Sequence, residues 1–112
     1  SFWVCSTLAK IAEDNECNKS LSNIGISRSI VLCSEKYIQN SSICSLLCKA
    51  VGYMASSSEN RIWLGAAGTC ESVVTMLAKN TTSIDVCHHS LWAIANLVIN
   101  HIGNLNKVGV AG

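Results

Sequence analysis

The stretch ICSLLCKAVGYMA at 43 to 55 aligns without a gap on VCHHSLWAIANLV at 86 to 98, an offset of 43 residues. Cys44 falls on Cys87, Ala50 on Ala93, Val51 on Ile94 and Met54 on Leu97. One further step back, VCSTLAKIA at 4 to 12 joins the set, with Cys5 under Cys48, Leu8 under Val51 and Ile11 under Met54. A unit that recurs at this spacing cannot bury its apolar face alone, so its copies must stack. Between the matched stretches lie NIGISRSIVLC and AAGTCESVVTM, with Gly25 and Gly68 again 43 apart, followed by Ile30-Val31 and Val73-Val74. The closing NLNKVGVAG repeats NRIWLGAAG with one extra residue, which a longer loop after Asn100 would absorb.

Each period reads as helix, tight turn, helix, loop, helix. Short helices are expected at about 17 to 24 and 59 to 67, after which Gly25 and Gly68 supply a backbone corner that a side chain would resist. Second helices follow at 26 to 39 and 69 to 79, where Ile26, Ile30 and Cys33, or Val73, Met76 and Leu77, recur every three to four residues. After the polar NSS or NTTS, third helices run over 42 to 55 and 84 to 98. Ile84, Cys87, Leu91, Ile94, Ala95 and Val98 are expected inward, with Ser83 as N-cap and Asp85 in the first turn. The absence of proline suits such an arrangement.

Composition removes several classes of function. Eight Lys+Arg against seven Asp+Glu, without a charge run, leave no electrostatic footprint for nucleic acid or an anionic membrane. Only 13% of residues are charged, so much of the surface is expected either to carry uncharged Ser, Asn and Thr or to be buried against a partner. The start, SFWVCSTLAK, has neither a methionine nor the features of a secretory signal, and reads as an internal piece of a longer protein. Seven irregularly spaced cysteines do not make a disulfide framework. The sequons at Asn18, Asn40 and Asn80 follow from abundant Asn and Ser, so a cytoplasmic or nuclear location is expected.

The run NRIWLGAAGTCESVVTMLAKN, followed by VCHHSLWAIANLV with its Trp92 and Asn96 one helical turn apart, resembles the armadillo repeat. The resemblance extends over essentially the whole chain. It implies an all-α, right-handed solenoid of three-helix repeats: a third helix at 1–15, full repeats at 16–57 and 58–101, and a first helix at 102–112. HEAT repeats, a two-helix alternative, are disfavoured by the glycine corners.

In a stacked array the third helices lie side by side along a concave face. In armadillo proteins similar to this chain, the asparagine of that helix bonds the backbone of an extended peptide and the tryptophan walls pockets for its side chains. That pair corresponds to Trp92 and Asn96. The middle repeat places Lys49 and Tyr53 there and the first helix Ser6 and Lys10, while one turn back come His88, Ser45 and Phe2. The same asparagine can instead bond the helix end of a neighbouring repeat and hold no ligand. The stripe carries Lys10 and Lys49 with Glu13 as its nearest acid; Glu35, Glu71 and Asp85 belong to second helices or a helix start. A neutral or acidic extended segment is the expected ligand. The alternatives are an architectural spacer without a ligand, and binding of basic peptides in the manner of nuclear-import receptors. Apolar SFWV and VGVAG at the two ends suggest end-to-end self-association.

Cys87, His88 and His89 carry metal-ligating and nucleophilic groups. Consecutive helical residues point about 100° apart and cannot converge on one ion or on each other. Cys44 and Cys48 have one-turn spacing without a second pair, and no glycine-rich phosphate loop exists. Neither an enzyme, nor a metal, nor a cofactor is expected.

Overall fold

The computed structural model describes residues 24 to 99 and 101 to 111, and all regular structure among them is helical. The six helices are α1 (Ile24–Lys36), α2 (Ser41–Met54), α3 (Ser58–Ala67), α4 (Thr69–Lys79), α5 (Ile84–Val98) and α6 (Ile102–Ala111). None is long and apolar enough to cross a membrane. The helix expected at 1 to 15 and nearly all of that at 17 to 24 lie outside the described residues.

The helix starts follow from local side-chain chemistry. Asn40, in extended backbone, accepts the Ile43 amide at 3.1 Å and opens α2. Ser57 does the same for Asn60 ahead of α3, and Ser83 for Val86 ahead of α5, with Asp85 in the first turn as expected. The corresponding place before α6 is taken by His101, whose Nδ1 accepts the Asn104 amide at 3.0 Å. Asn40 and Ser83 are 43 residues apart while Ser57 and His101 are 44 apart, so the extra residue falls between Ser83 and His101.

Gly68 separates α3 from α4 with no loop at all. Its φ of 92° is left-handed, and its amide satisfies carbonyls of the last turn of α3, at Gly65 and Leu64. Gly25 does not play the same part. It lies one residue inside α1, and Gly68 is the only glycine with positive φ among the described residues. The sequence match at 25 and 68 records equivalent places in the chain, whereas the conformation differs, with Gly25 inside a helix and Gly68 at a helix end.

Helix α5 packs mainly on α2 and also on α4, α1 packs on α3 and α4, and α6 lies mostly on α4 and α5 with a smaller contact to α3. Ile30, Leu47, Val51, Met54, Leu64, Val73, Met76, Val86 and Leu97 are fully buried between them. At three joints an asparagine amide reaches a backbone carbonyl. Asn80 Nδ2 donates to Ile38 at 3.0 Å, Asn96 Nδ2 to Gly52 at 2.9 Å and Asn104 Nδ2 to Arg61 at 3.0 Å, across separations of 42, 44 and 43 residues.

The inward face expected for α5 needs correction. Its buried residues are Val86, Ser90, Ala93 and Leu97, while Ile84 is 84% and Leu91 58% exposed. Ala95 is exposed, and Cys87, Ile94 and Val98 are half-buried. The equivalent positions of α2, at Cys44, Cys48, Val51, Gly52 and Ala55, are all buried: Gly52 lies under Trp92 of α5, Cys48 Sγ meets Met76 of α4, and Cys44 Sγ faces the Tyr37 carbonyl.

The two glycines give opposite tests. Gly68→Ala should lose about 1–2 kcal/mol, since a Cβ at that position meets nothing within 4 Å and only the left-handed backbone opposes it. Gly25→Ala should gain about 0.5 kcal/mol, as an exposed helical glycine does on replacement. Urea unfolding of both variants measures the pair, and equal signs would contradict a helical Gly25 beside a left-handed Gly68.

Candidate peptide-binding face

Trp92 and Asn96 tie α2 to α5 along the expected stripe, both through Gly52. The Trp92 ring lies on the backbone of α2 at Gly52, where a Cβ would run into its Cε3 and Cζ3 atoms. Beyond the glycine it meets Tyr53 edge to face, ring centres 4.9 Å apart at 81°. One turn further along α5, Asn96 donates to the Gly52 carbonyl. That oxygen sits in the last turn of α2, where the Ser56 amide has turned to Tyr53 instead, so the carboxamide satisfies a helix-end acceptor. At the other end, Ser45 and Asp85 line one hollow of about 250 Å³ with Ser41, Ser42, Leu46 and Ser83.

Ser45, Lys49, Tyr53, Trp92 and Asn96 are thus half-buried along one seam, with His88 exposed beside it. Ser6, Lys10 and Phe2, the remaining members of the stripe, lie outside the described residues. Asn96 differs from the other two joint asparagines. Asn80 spends its second amide hydrogen on Met76 and Asn104 on Leu97, and Asn104 is fully buried. Among the described residues Asn96 makes the single bond to Gly52, leaving one N–H and its Oδ1 on a partly open surface.

Charge along the seam is mixed. Lys49 bears on His89, whose ionisation is pushed below the ordinary histidine value by burial first, then by the neighbouring His88 and Lys49, with Asp85 opposing. His88 and His89 rings stand edge to face with centres 5.0 Å apart, and His89 Nδ1 is shielded from water without a hydrogen-bond partner among the described residues. Asp85 brings a carboxylate closer to the stripe than its place at a helix start suggests.

The reactive side chains are poorly placed for chemistry. Burial raises the Cys48 thiol to about 12 and the Cys70 thiol to about 11, which keeps both protonated and unreactive. Cys87 is half-buried with its Sγ directed at the Thr81 carbonyl, 3.6 Å away. No three His, Cys, Asp or Glu side chains gather into a metal site among the described residues.

Several contributors are missed by reading the sequence. Gly52 is one: nothing in the sequence separates a glycine under an indole from a glycine at a turn. A larger hollow of about 560 Å³, bordered by Glu35, Glu71, Thr75 and Lys79, opens between α1 and α4 on second helices that carry no motif. Comparisons with known protein families, with characterised proteins and with solved structures returned no match.

His89 gives a pH dependence with a definite sign. Its folded value lies below 6.5, so as pH falls the unfolded chain takes up the proton first and the folded state loses stability. The melting temperature should be level above the unfolded value and decline as pH drops through about 6.5 and below. His89→Gln should flatten part of that decline, and thermal melts of the two proteins from pH 8 to pH 5, expected to diverge only at the acid end, check it.

Proposed function

We propose that the chain is a section of an armadillo-type helical scaffold whose face across α2 and α5 holds an extended segment of another protein. The observation that carries this reading is Asn96. Of the three joint asparagines, it alone keeps a donor and an acceptor in reach of solvent, beside an aromatic wall made by Trp92 and Tyr53. A strand-like segment presents N–H and C=O groups that need such partners, and a side chain could rest on the indole.

Lys49 in the middle of the seam favours a neutral or acidic segment, and Asp85 at its end limits how strong that preference can be. A solvent-exposed pair contributes about 0.2–1 kcal/mol, so the discrimination should be no more than about tenfold and should weaken with salt. The five cysteines among the described residues are all free, which suits the reducing cytoplasm or nucleus.

A second reading, an architectural spacer, draws on the bond from Asn96 to Gly52, since a carboxamide holding two helices together needs no ligand. Binding separates the two. Matched acidic, neutral and basic extended peptides titrated against the chain should bind in that order, with Lys49→Glu reversing the preference. Asn96→Ala should weaken all three peptides, and its melting curve measures the loss of the Gly52 bond separately. A basic peptide binding tightest to the unaltered chain would overturn the charge assignment, and no peptide binding at all would leave the spacer.

A further inference from the structure

We propose that Arg61, a residue of α3 outside the expected stripe, is a positioning residue for the candidate face, a role that rests on the proposed function. Its guanidinium joins the ends of α2 and α5 and so holds Trp92 and Asn96 where a ligand meets them. Arg61 Nε donates to the Ala55 carbonyl at 2.7 Å and Nη2 to the Ser56 carbonyl at 3.4 Å, both at the end of α2. Nη1 donates to the Ile99 carbonyl at 3.5 Å, 38 residues away, at the end of α5. Ala55 and Ile99 are the C-caps of the two helices, where carbonyls lack an intrahelical donor and the backbone dipoles leave partial negative charge. One planar cation with a fork of donors thus meets two such ends.

The ties made by Trp92 and Asn96 converge on one residue. Trp92 lies on Gly52 and Asn96 donates to the Gly52 carbonyl, so both hold α5 to α2 at a single backbone unit. Two helices tied at one point can pivot there, and the apolar burial around it is non-directional. Ala55 lies three residues beyond Gly52 and Ile99 three beyond Asn96, so Arg61 adds a second tie nearly one turn further along both helices. Two ties fix rotation as well as distance. Arg61 is itself held in place, its amide donating to the Ser57 carbonyl and its carbonyl accepting Asn104 Nδ2.

Repetition of the helices does not by itself require this arginine. The equivalent position holds Asn18 one period back and Leu105 one period on, and neither carries a guanidinium. Of the three positions, the cation stands at the one between α2 and α5, the helices that bring together Tyr53, Trp92 and Asn96. Under the proposed function, the remaining N–H and Oδ1 of Asn96 bond the ligand backbone while the wall of Trp92 and Tyr53 receives a side chain. Both contacts form at once only if α5 keeps its angle to α2. A pivot at Gly52 would move Trp92 and Asn96 together against Tyr53, and fixing that angle in advance spares the ligand the entropy of doing so.

The test reads the face both without and with a ligand. In Arg61→Lys, which keeps the charge and loses the fork, nuclear Overhauser contacts between the Trp92 and Tyr53 rings should weaken. A neutral extended peptide should bind about tenfold more weakly, as follows when the binding-competent arrangement falls to about a tenth of the population. Both are measured well below the melting temperature, where a loss of stability alone leaves affinity unchanged. Combined with Asn96→Ala, the fold loss should fall short of the product of the two single losses, because both substitutions disturb one arrangement. Far-ultraviolet circular dichroism checks that helicity is kept, and Arg61→Gln replaces Arg61→Lys should that variant lose it. Unchanged ring contacts, an unchanged affinity, or single losses that multiply in the double variant would each overturn the proposal. If no peptide binds the unaltered chain, the proposed function fails and the role toward a ligand falls with it, while the ring contacts still decide whether Arg61 sets the angle of α5.

Discussion

The bond from an asparagine amide to the backbone carbonyl of the counterpart helix is the constraint on which the arrangement of the six helices rests. Apolar burial pulls α5 onto α2 and α4 onto α1, yet it is non-directional and tolerates sliding. A carboxamide at 2.9 to 3.0 Å from one particular carbonyl does not, and Asn80, Asn96 and Asn104 fix the three joints at separations of 42, 44 and 43 residues. The acceptors at Gly52 and Ile38 lie in or just beyond a last helical turn, where carbonyls lack an intrahelical donor. Removing such an asparagine therefore uncovers an acceptor as well as losing a bond, which makes the cost larger than that of an exposed hydrogen bond.

Much of this architecture is legible in the residues, for a physical reason. Helix starts depend on one side chain and the three amides after it, so Ser83 before α5 reads correctly from local chemistry alone. Apolar period is equally local, and it places Ile30, Val73 and Met76 in the core. What it does not reveal is which of two apolar faces turns inward. Leu91 has apolar Ile94 and Ala95 one turn on and Val86 has His89 and Ser90, yet Val86 is covered and Leu91 is open. Gly25 and Gly68 show the same limit for backbone. Identical residues at equivalent places differ, since Gly25 lies within α1 whereas Gly68 follows the last residue of α3 in a left-handed conformation.

The candidate face was legible as a set of residues and illegible as a set of contacts. Trp92 and Asn96 announce themselves by spacing, but Gly52, the residue on which both depend, has no pattern of its own. Its role follows from close approach: the missing side chain lets the indole reach Tyr53, and the same backbone unit offers its carbonyl to Asn96.

That sharing of one backbone unit ties recognition to stacking. Under the proposed function, a ligand would meet Trp92 and Asn96 through whatever α2 leaves unused: one face of the indole, one amide hydrogen and one oxygen. Asn96 holds the joint through its bond to Gly52 and faces the ligand through the remainder, so the two roles are chemically compatible on a single carboxamide. They are not independent in energy, since tightening the joint orders the groups that the ligand needs and spares binding part of the entropy of arranging them. A ligand on this face would in turn stabilise the contact between α2 and α5, by the reciprocity that any coupled pair of equilibria obeys.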